Sequence, residues 1–256
     1  MYKEKPFYLK LYKKIVYSFC KILIKPFDKI FNSTLEANIK IKLLKLHSQN
    51  YKFINDKVYY IHVPKCGGTT IHTILQKEYK SSLFNYDHPY NYNLNTHYPL
   101  KDNVDFTKGK FITTIRSPYN RVYSYYIDCL RNKKHSYHNV ARRGLENFCK
   151  QVWEAQNMYI RYFSGNMKNL NLNDLSKALN NIKKFDEIFI FEQLSIDIQN
   201  FLKKEKFDYN YKIMNTKNYS NPNQEHFNII ERFNKIDIEF YEKVLEFKNF
   251  KTNSLD

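Results

Sequence analysis

Two short segments of this chain carry the residue types that bind phosphorylated ligands. The first is the run Pro64-Lys65-Cys66-Gly67-Gly68-Thr69-Thr70. Its glycines allow the backbone to approach a phosphate closely, and a helix that follows them would direct free N–H groups at the same anion. Lys65 adds a positive charge, while Thr69 and Thr70 add hydroxyl donors. The run predicts a phosphate-binding loop, with a purely structural turn as the alternative when it is read alone.

The order of residues in this loop separates it from the common nucleotide-binding loop. In the pattern G-x-x-x-x-G-K-[ST] the lysine follows the glycines, whereas Lys65 precedes Gly67 and Gly68. The order disfavours an ordinary kinase or ATPase. A phosphotransferase built on the same fold remains an alternative, and Mg²⁺-dependent ATP hydrolysis would identify it.

The second segment places an arginine at the end of a predicted strand. Lys110 to Ile115 forms a short apolar run, Arg116 follows it, and Ser117-Pro118 is typical of a helix start. Ser124 lies three residues after Arg121, so the two share one face of that helix. Arg116 therefore stands at the strand end where ligands of such a sheet bind, with a purely structural junction as the alternative when this segment is read alone.

Strands alternate with helices along the rest of the chain, which positions both segments. Apolar runs predict strands, and helical spacing or helix signals predict the elements between them. The predicted strands are Val58 to Val63, Lys110 to Ile115 and Glu187 to Phe191, and the predicted helices are Thr70 to Tyr79, Pro118 to about Arg131, Asn173 to Lys183, Ser195 to Lys203 and about Phe227 to Phe247. This alternation predicts an α/β fold with an open, largely parallel sheet flanked by helices.

The two segments resemble, in order, the motifs of one enzyme family. V-P-K-C-G-G-T-T resembles the 5′-phosphosulfate loop of Golgi-type carbohydrate sulfotransferases, particularly the heparan sulfate 2-O and 6-O group and its bacterial relatives. F-I-T-T-I-R-S-P-Y-N-R-V-Y-S-Y-Y resembles the same family's 3′-phosphate motif, and Arg116 and Ser124 fall on its phosphate-binding positions. Weaker resemblance extends the match over about Tyr59 to Phe247.

The resemblance implies a P-loop-like fold and an activity. The chain is expected to bind 3′-phosphoadenosine 5′-phosphosulfate (PAPS) and to move its sulfuryl group to a hydroxyl, with a glycan as the acceptor. The residues implied in donor binding are Lys65, Cys66, Gly67, Gly68, Thr69, Thr70, Arg116, Ser124 and Lys217, the last in the polar segment M-N-T-K-N-Y-S.

Catalysis in such a family needs a base and a group that stabilises the departing phosphate oxygen. Lys65 is expected to serve the leaving oxygen. The family's pattern places a histidine base between the two motifs, and His97 is our choice, with His88 in the same segment as the alternative. A near-neutral pKa suits histidine to this task. No metal is expected.

The charge of the chain predicts anionic partners without identifying them. Its 256 residues carry a formal net charge of +17, which suits an acidic glycan near the cleft, although dispersed lysines also occur simply as a solvated surface. The second alternative is a non-catalytic protein that binds nucleic acid or another polyanion. That role would explain neither of the two motifs, so nucleic acid is not expected as a partner. The segment around Trp153, Gln156 and Arg161 either lines an acceptor groove or belongs to the core.

The amino-terminal segment, residues 1–50, is predicted to be separate from a catalytic domain at 51–256. A projected helix over this region, mainly Tyr8 to Phe27, places lysines on one side and apolar or aromatic residues opposite them: the lysines are Lys3, Lys10, Lys14, Lys21 and Lys25, and the residues opposite are Tyr8, Tyr12, Ile15, Phe19, Ile22 and Leu23. Its longest uncharged run is far too short to cross a bilayer. The helix would either lie on an anionic membrane surface or pack on the domain. Four cysteines without paired spacing favour a cytoplasmic protein. If the helix binds the membrane surface, the protein would be peripheral there.

Overall fold

A computed structural model of the chain describes residues 57–79, 99–100, 104–207 and 221–253. Within these residues one sheet contains the strands β1 (Lys57–His62), β2 (Gly109–Ile115) and β3 (Glu187–Ile190). The strands are parallel and lie in the order β1-β2-β3, with Thr113 opposite both Ile61 and Ile188. Their carboxyl ends therefore share one edge of the sheet.

Helices follow the strands along the chain. They are α1 (Gly68–Tyr79), α2 (Pro118–Arg131), α3 (His138–Ala141), α4 (Leu145–Gln151), α5 (Met158–Ser164), α6 (Leu172–Ile182), α7 (Leu194–Lys204) and α8 (Gln224–Asn253). The predicted α/β fold, an open parallel sheet flanked by helices in the P-loop-like manner, is confirmed. Helices α3 to α5 were not predicted, because elements of four to seven residues are too short to show helical periodicity.

Both faces of the sheet are covered, as the alternation of side chains along β1 requires. Val58 and Tyr60 point to the face where α1 and α7 pack, in a cluster that includes Ile71 and Ile198. The alternate side chains of β1 lie in the larger core cluster, to which α5, α6 and α8 contribute. A sheet buried on both faces is held rigidly, so its edge is a stable platform for a site.

The carboxy-terminal helix α8 is tied to α5 by buried polar groups at a kink. Asn234 leaves helical geometry within α8, and its side-chain oxygen accepts from the N–H of Asn157 at 2.9 Å. Asp237 accepts the N–H groups of Tyr159 and Ile160, each at 3.0 Å. Its carboxylate thus accepts from buried N–H groups at the start of α5 that have no partner within the helix.

The amino-terminal segment, with the helix predicted at residues 8–27, lies outside the described residues, and the boundary between 1–50 and 51–256 stays a prediction. Of the helices that the structure describes, none combines the length and the apolar character needed to cross a bilayer.

Candidate active site

The predicted phosphate loop connects β1 to α1 and contains two residues in left-handed backbone conformation. Lys65 has φ 69° and Gly67 has φ 80°. A non-glycine residue in this region costs about 1 kcal/mol, and such residues concentrate at functional sites. The N–H groups of Thr70 and Ile71 bond the Gly67 carbonyl at 3.1 and 3.4 Å, which begins α1 at the loop. The first turn of α1 therefore directs its positive dipole end towards the loop.

Steric crowding explains why glycines occupy the two central positions. A Cβ built on Gly67 would lie 2.8 Å from the Phe191 ring, and one built on Gly68 would lie 1.7 Å from Nε2 of His62. His62 is buried at the end of β1. The loop is thus pressed between an aromatic ring and an imidazole, and only glycine fits at either point.

Arg116 lies next to this loop, as the resemblance implies. It follows β2, and its Nη1 donates to the Lys65 carbonyl at 3.3 Å. Its guanidinium carbon lies 4.2 Å from the centre of the Phe191 ring, in a cation–π arrangement. The ends of β1 and β2 therefore bring Lys65 and Arg116 together at one point of the sheet edge.

Tyr159, at the start of α5, connects the two strand ends through its hydroxyl group. The hydroxyl accepts the N–H of Arg116 at 2.9 Å, donates to the Arg116 carbonyl, and contacts Sγ of Cys66 at 3.3 Å. Burial raises the pKa of this hydroxyl well above its usual value, so it stays protonated. It acts as a neutral clamp between the backbone of Arg116 and the side chain of Cys66.

Cys66 is buried in the loop, where its thiol stays protonated at neutral pH. Burial raises the pKa of its thiol to about 11, in spite of the opposing hydrogen bond from Tyr159 and the charges of Arg121 and Arg116. A neutral thiol is a poor nucleophile. Cys66 therefore contributes its backbone and its packing to the loop.

Helix α2 presents polar side chains to the loop. Ser124 is buried on this helix, and Asp128, one turn further on, places Oδ2 3.2 Å from Nζ of Lys65. Because residues four apart share a helix face, Ser124 lies on the face of α2 that is turned towards the loop. Thr70 is buried and Thr69 exposed at the start of α1.

The predicted helix start at Ser117 is confirmed, but the side chain of Ser117 does not cap the helix. Ser117 is the N-cap residue of α2, yet its side chain makes no capping bond. Its backbone N–H donates instead to Oε1 of Glu192 at 2.9 Å, and Oε2 of Glu192 accepts from Tyr241 at 3.0 Å. A carboxylate that follows β3 thus holds the backbone at the start of α2.

Three residues at this edge were missed by the sequence analysis: Phe191, Glu192 and Asp128. Phe191 was assigned to the end of the third strand, where its contact with Arg116 has no local signal. The position itself was a usable signal, because the carboxyl ends of three parallel strands must meet. Asp128 could have been found from its spacing of four residues after Ser124.

The residues proposed for an acceptor groove, Trp153, Gln156 and Arg161, either pack in the core or hold neighbouring backbone segments. Trp153 is 8% exposed and lies in the main core cluster. Gln156 donates to the carbonyls of Cys149 and Lys150, and Arg161 bonds the carbonyls of Gln156 and Met167. The core interpretation is therefore the better one.

Several predicted residues lie outside the described part of the chain. His97, its alternative His88, and Lys217 are among them, so their roles stay predictions. In the described residues, no group of three His, Cys, Asp or Glu side chains could hold a metal ion.

Comparison with known proteins identifies the family. A search of curated proteins finds no match. The family model described as the sulfotransferase family matches residues 53–246, a stretch that contains the loop, Arg116 and all three strands. The protein therefore belongs to the sulfotransferase family.

Proposed function

We propose that this protein transfers the sulfuryl group of PAPS to a hydroxyl group of an acidic carbohydrate. The observation that supports this donor is the contact between two strand ends, in which Arg116 donates to the Lys65 carbonyl at 3.3 Å. A donor with phosphates at both its 5′ and 3′ positions needs two cationic sites side by side. Membership of the sulfotransferase family supports the sulfuryl group as the one transferred.

The residues of the loop fit a phosphate in shape and charge. Gly67 and Gly68 allow the loop to pack tightly against Phe191 and His62, and the start of α1 supplies N–H donors. In this proposal the loop, with Lys65 and the two threonines after the glycines, holds the 5′-phosphosulfate. Arg116 and Ser124 hold the 3′-phosphate, and Lys217 supplies a third contact with the donor.

The proposed reaction is an in-line displacement at sulfur. The acceptor oxygen forms a new bond to sulfur, and the bond between sulfur and the bridging oxygen of the 5′-phosphate breaks. The products are the sulfated acceptor and 3′-phosphoadenosine 5′-phosphate (PAP), whose 5′-phosphate gains negative charge as it leaves. Lys65 offsets that charge. Loss of one group that stabilises a transition state in this way lowers kcat by roughly 10²-fold or more.

His97 takes the proton of the acceptor hydroxyl in this proposal. The histidine would be active in its neutral form, so turnover should rise with pH through the ordinary titration range of histidine. His97→Ala should abolish transfer, while His88→Ala should leave most of it. The opposite pattern would assign the base to His88.

The acidic nature of the acceptor is inferred from a basic segment at the end of α2. Residues 129–145 contain no Asp or Glu. Exposed cations of this segment are Arg131, Lys133, Lys134, Arg142 and Arg143. The segment starts within one helical turn of Asp128, which contacts Lys65, so it adjoins the proposed donor site. Such a concentration of one charge attracts and orients a polyanion.

The test is transfer of radiolabelled sulfuryl from PAPS to polysaccharides. Heparosan and chondroitin, which carry uronates, should be labelled, and uncharged dextran should not. Lys133→Glu combined with Lys134→Glu should lower kcat/KM for the acidic polymers by about tenfold, with unchanged PAP affinity. Lys168→Glu with Lys203→Glu, an equal charge change at exposed sites elsewhere, should have little effect. Equal labelling of dextran, or equal losses in both variants, would contradict an acidic acceptor.

We propose that the enzyme is cytoplasmic and that its amino-terminal segment holds it at an anionic membrane surface. The lysines of residues 8–27 would face the lipid headgroups and the aromatic residues would lie in the interface. Full-length protein should sediment with vesicles that contain phosphatidylserine, and deletion of residues 1–30 should abolish this. Unchanged sedimentation after the deletion would refute the anchor.

A further inference from the structure

Asp128 is an acidic residue inside a site that binds anions. Its Oδ2 lies 3.2 Å from Nζ of Lys65, and the two side chains are 36% and 24% exposed. It projects from α2 one turn after Ser124, on the face that meets the loop. A carboxylate at this place repels the proposed donor, so its presence needs a compensating role.

The backbone and side chain of Lys65 are held by different partners. Its main chain is fixed in left-handed conformation, and its carbonyl accepts from Arg116. Its side chain has four rotatable carbon–carbon bonds and would otherwise sample many rotamers. The ion pair with Asp128 selects among them. An ammonium group has three N–H donors, so one bond to Asp128 leaves two for a ligand.

We propose that Asp128 is a positioning residue that orients the Lys65 ammonium for the leaving oxygen of the donor. This inference rests on the proposed function. Asp128 takes one N–H of Lys65 and leaves the others for the 5′-phosphate and the bridging oxygen. It touches neither sulfur nor acceptor, and its effect on the reaction passes through Lys65.

This role has opposite consequences for binding and for turnover. Removal of the carboxylate charge relieves its repulsion of the bound phosphates. For unit charges about 6 Å apart in water, this should tighten binding by about threefold. Losing the orientation of Lys65 reduces the rate, since small misplacements of a catalytic group can cost up to roughly 10²-fold. A variant that simply disturbed the fold would weaken both.

The experiment compares the parent with Asp128→Asn, which keeps the shape of the side chain and removes its charge. PAP affinity is measured by calorimetry, and turnover is measured as conversion of PAPS to PAP and sulfate in a single turnover with water as the acceptor. We expect the variant to bind PAP as tightly as the parent, or up to about threefold more tightly. Its single-turnover rate should fall by about tenfold or more.

A matched control breaks an ion pair of the same length away from the site. Glu187 starts β3, at the opposite edge of the sheet, and pairs with Lys204 at 3.2 Å. Glu187→Gln should change neither PAP affinity nor the rate. Melting temperatures of all three proteins report any loss of folding.

The outcomes separate the inference from the function on which it rests. A folded parent that fails to bind PAP overturns the proposed function and the inference with it. A parent that binds and converts PAPS, with an Asp128→Asn variant of unchanged rate, overturns the inference alone. Weakened PAP binding in the variant would also overturn the inference. So would a variant whose rate has lost the pH dependence of the parent, because Asp128 would then act as a base.

Discussion

At the scale of single residues, the candidate site depends on close packing as much as on charge. Gly67 and Gly68 are confined by Phe191 and His62, and Arg116 stacks on the same Phe191 ring. The Phe191 ring thus lies against both the loop and the guanidinium and helps to fix their positions. Substitutions at uncharged positions should therefore affect ligand binding.

Gly68→Ala should destabilise the fold by about 1–3 kcal/mol, because the new methyl group would overlap the His62 ring. Urea denaturation would measure the change. His62→Ala should relieve the overlap, so that the double variant is more stable than the sum of the two single effects predicts. Strict additivity would show that the two residues do not conflict.

Phe191→Leu should weaken PAP binding by about 2- to 30-fold, because the cation–π contact that orients Arg116 is worth about 0.5–2 kcal/mol. Phe191→Tyr keeps the aromatic face and should bind nearly as tightly as the parent. Calorimetry would decide between these expectations. Similar affinities for the Leu variant and the parent would show that Phe191 does not contribute to PAP binding.

At the scale of elements, α8 supports the site from a distance. Asp237 on α8 holds the start of α5, and Tyr159 there clamps the backbone of Arg116. Burial raises the pKa of Asp237, opposed by the charges of Arg121 and Arg161 and by its backbone hydrogen bonds. The chain of contacts therefore runs from α8 through α5 to the end of β2.

Asp237→Ala should destabilise the protein by about 3 kcal/mol, since it leaves two buried N–H donors without an acceptor and removes a negative charge that interacts with the buried Arg121. PAP affinity should fall as well, because Tyr159 loses its support. Glu239→Gln is the matched control on the same helix, where an exposed pair with Lys243 is lost, and it should change stability little. Equal stability of the two variants would contradict this account.

The sequence predicted some of these elements well and others not at all. The three strands and the helices α1, α2, α6, α7 and α8 were found because each shows a sustained pattern or a clear start. The loop and Arg116 were found because their residue types carry chemistry at a strand end. Phe191 and Asp237 could not be found, since their roles come from contacts between segments far apart in the chain.

At the scale of the whole molecule, three buried thiols should make the protein less stable as the pH rises into the alkaline range. Burial raises the pKa of Cys66 to about 11 and those of Cys129 and Cys149 to about 12. A thiol in the unfolded chain loses its proton near its ordinary pKa of 9.0, so these groups stabilise the fold fully below pH 9. Their contribution is lost as pH rises through the folded-state values.

The free energy of unfolding should therefore fall by about 1 kcal/mol per thiol between pH 8 and roughly pH 10. Urea denaturation at several pH values would measure it. Cys149→Ala, which removes one such thiol away from the loop, should flatten the dependence. A free energy that stayed constant up to pH 10 would contradict the burial of neutral thiols.

The central claim, that the loop and Arg116 form one site for a donor phosphorylated at both ends, is tested most directly by calorimetry with PAP and adenosine 5′-phosphate. The parent should bind PAP more tightly than adenosine 5′-phosphate by about 10- to 100-fold, because charge-assisted bonds to the 3′-phosphate are worth about 1.5–3 kcal/mol. Lys65→Ala should weaken both ligands, and Arg116→Ala should remove the preference for PAP. A folded parent that binds neither ligand, or an Arg116→Ala variant that keeps the full preference, would contradict the account.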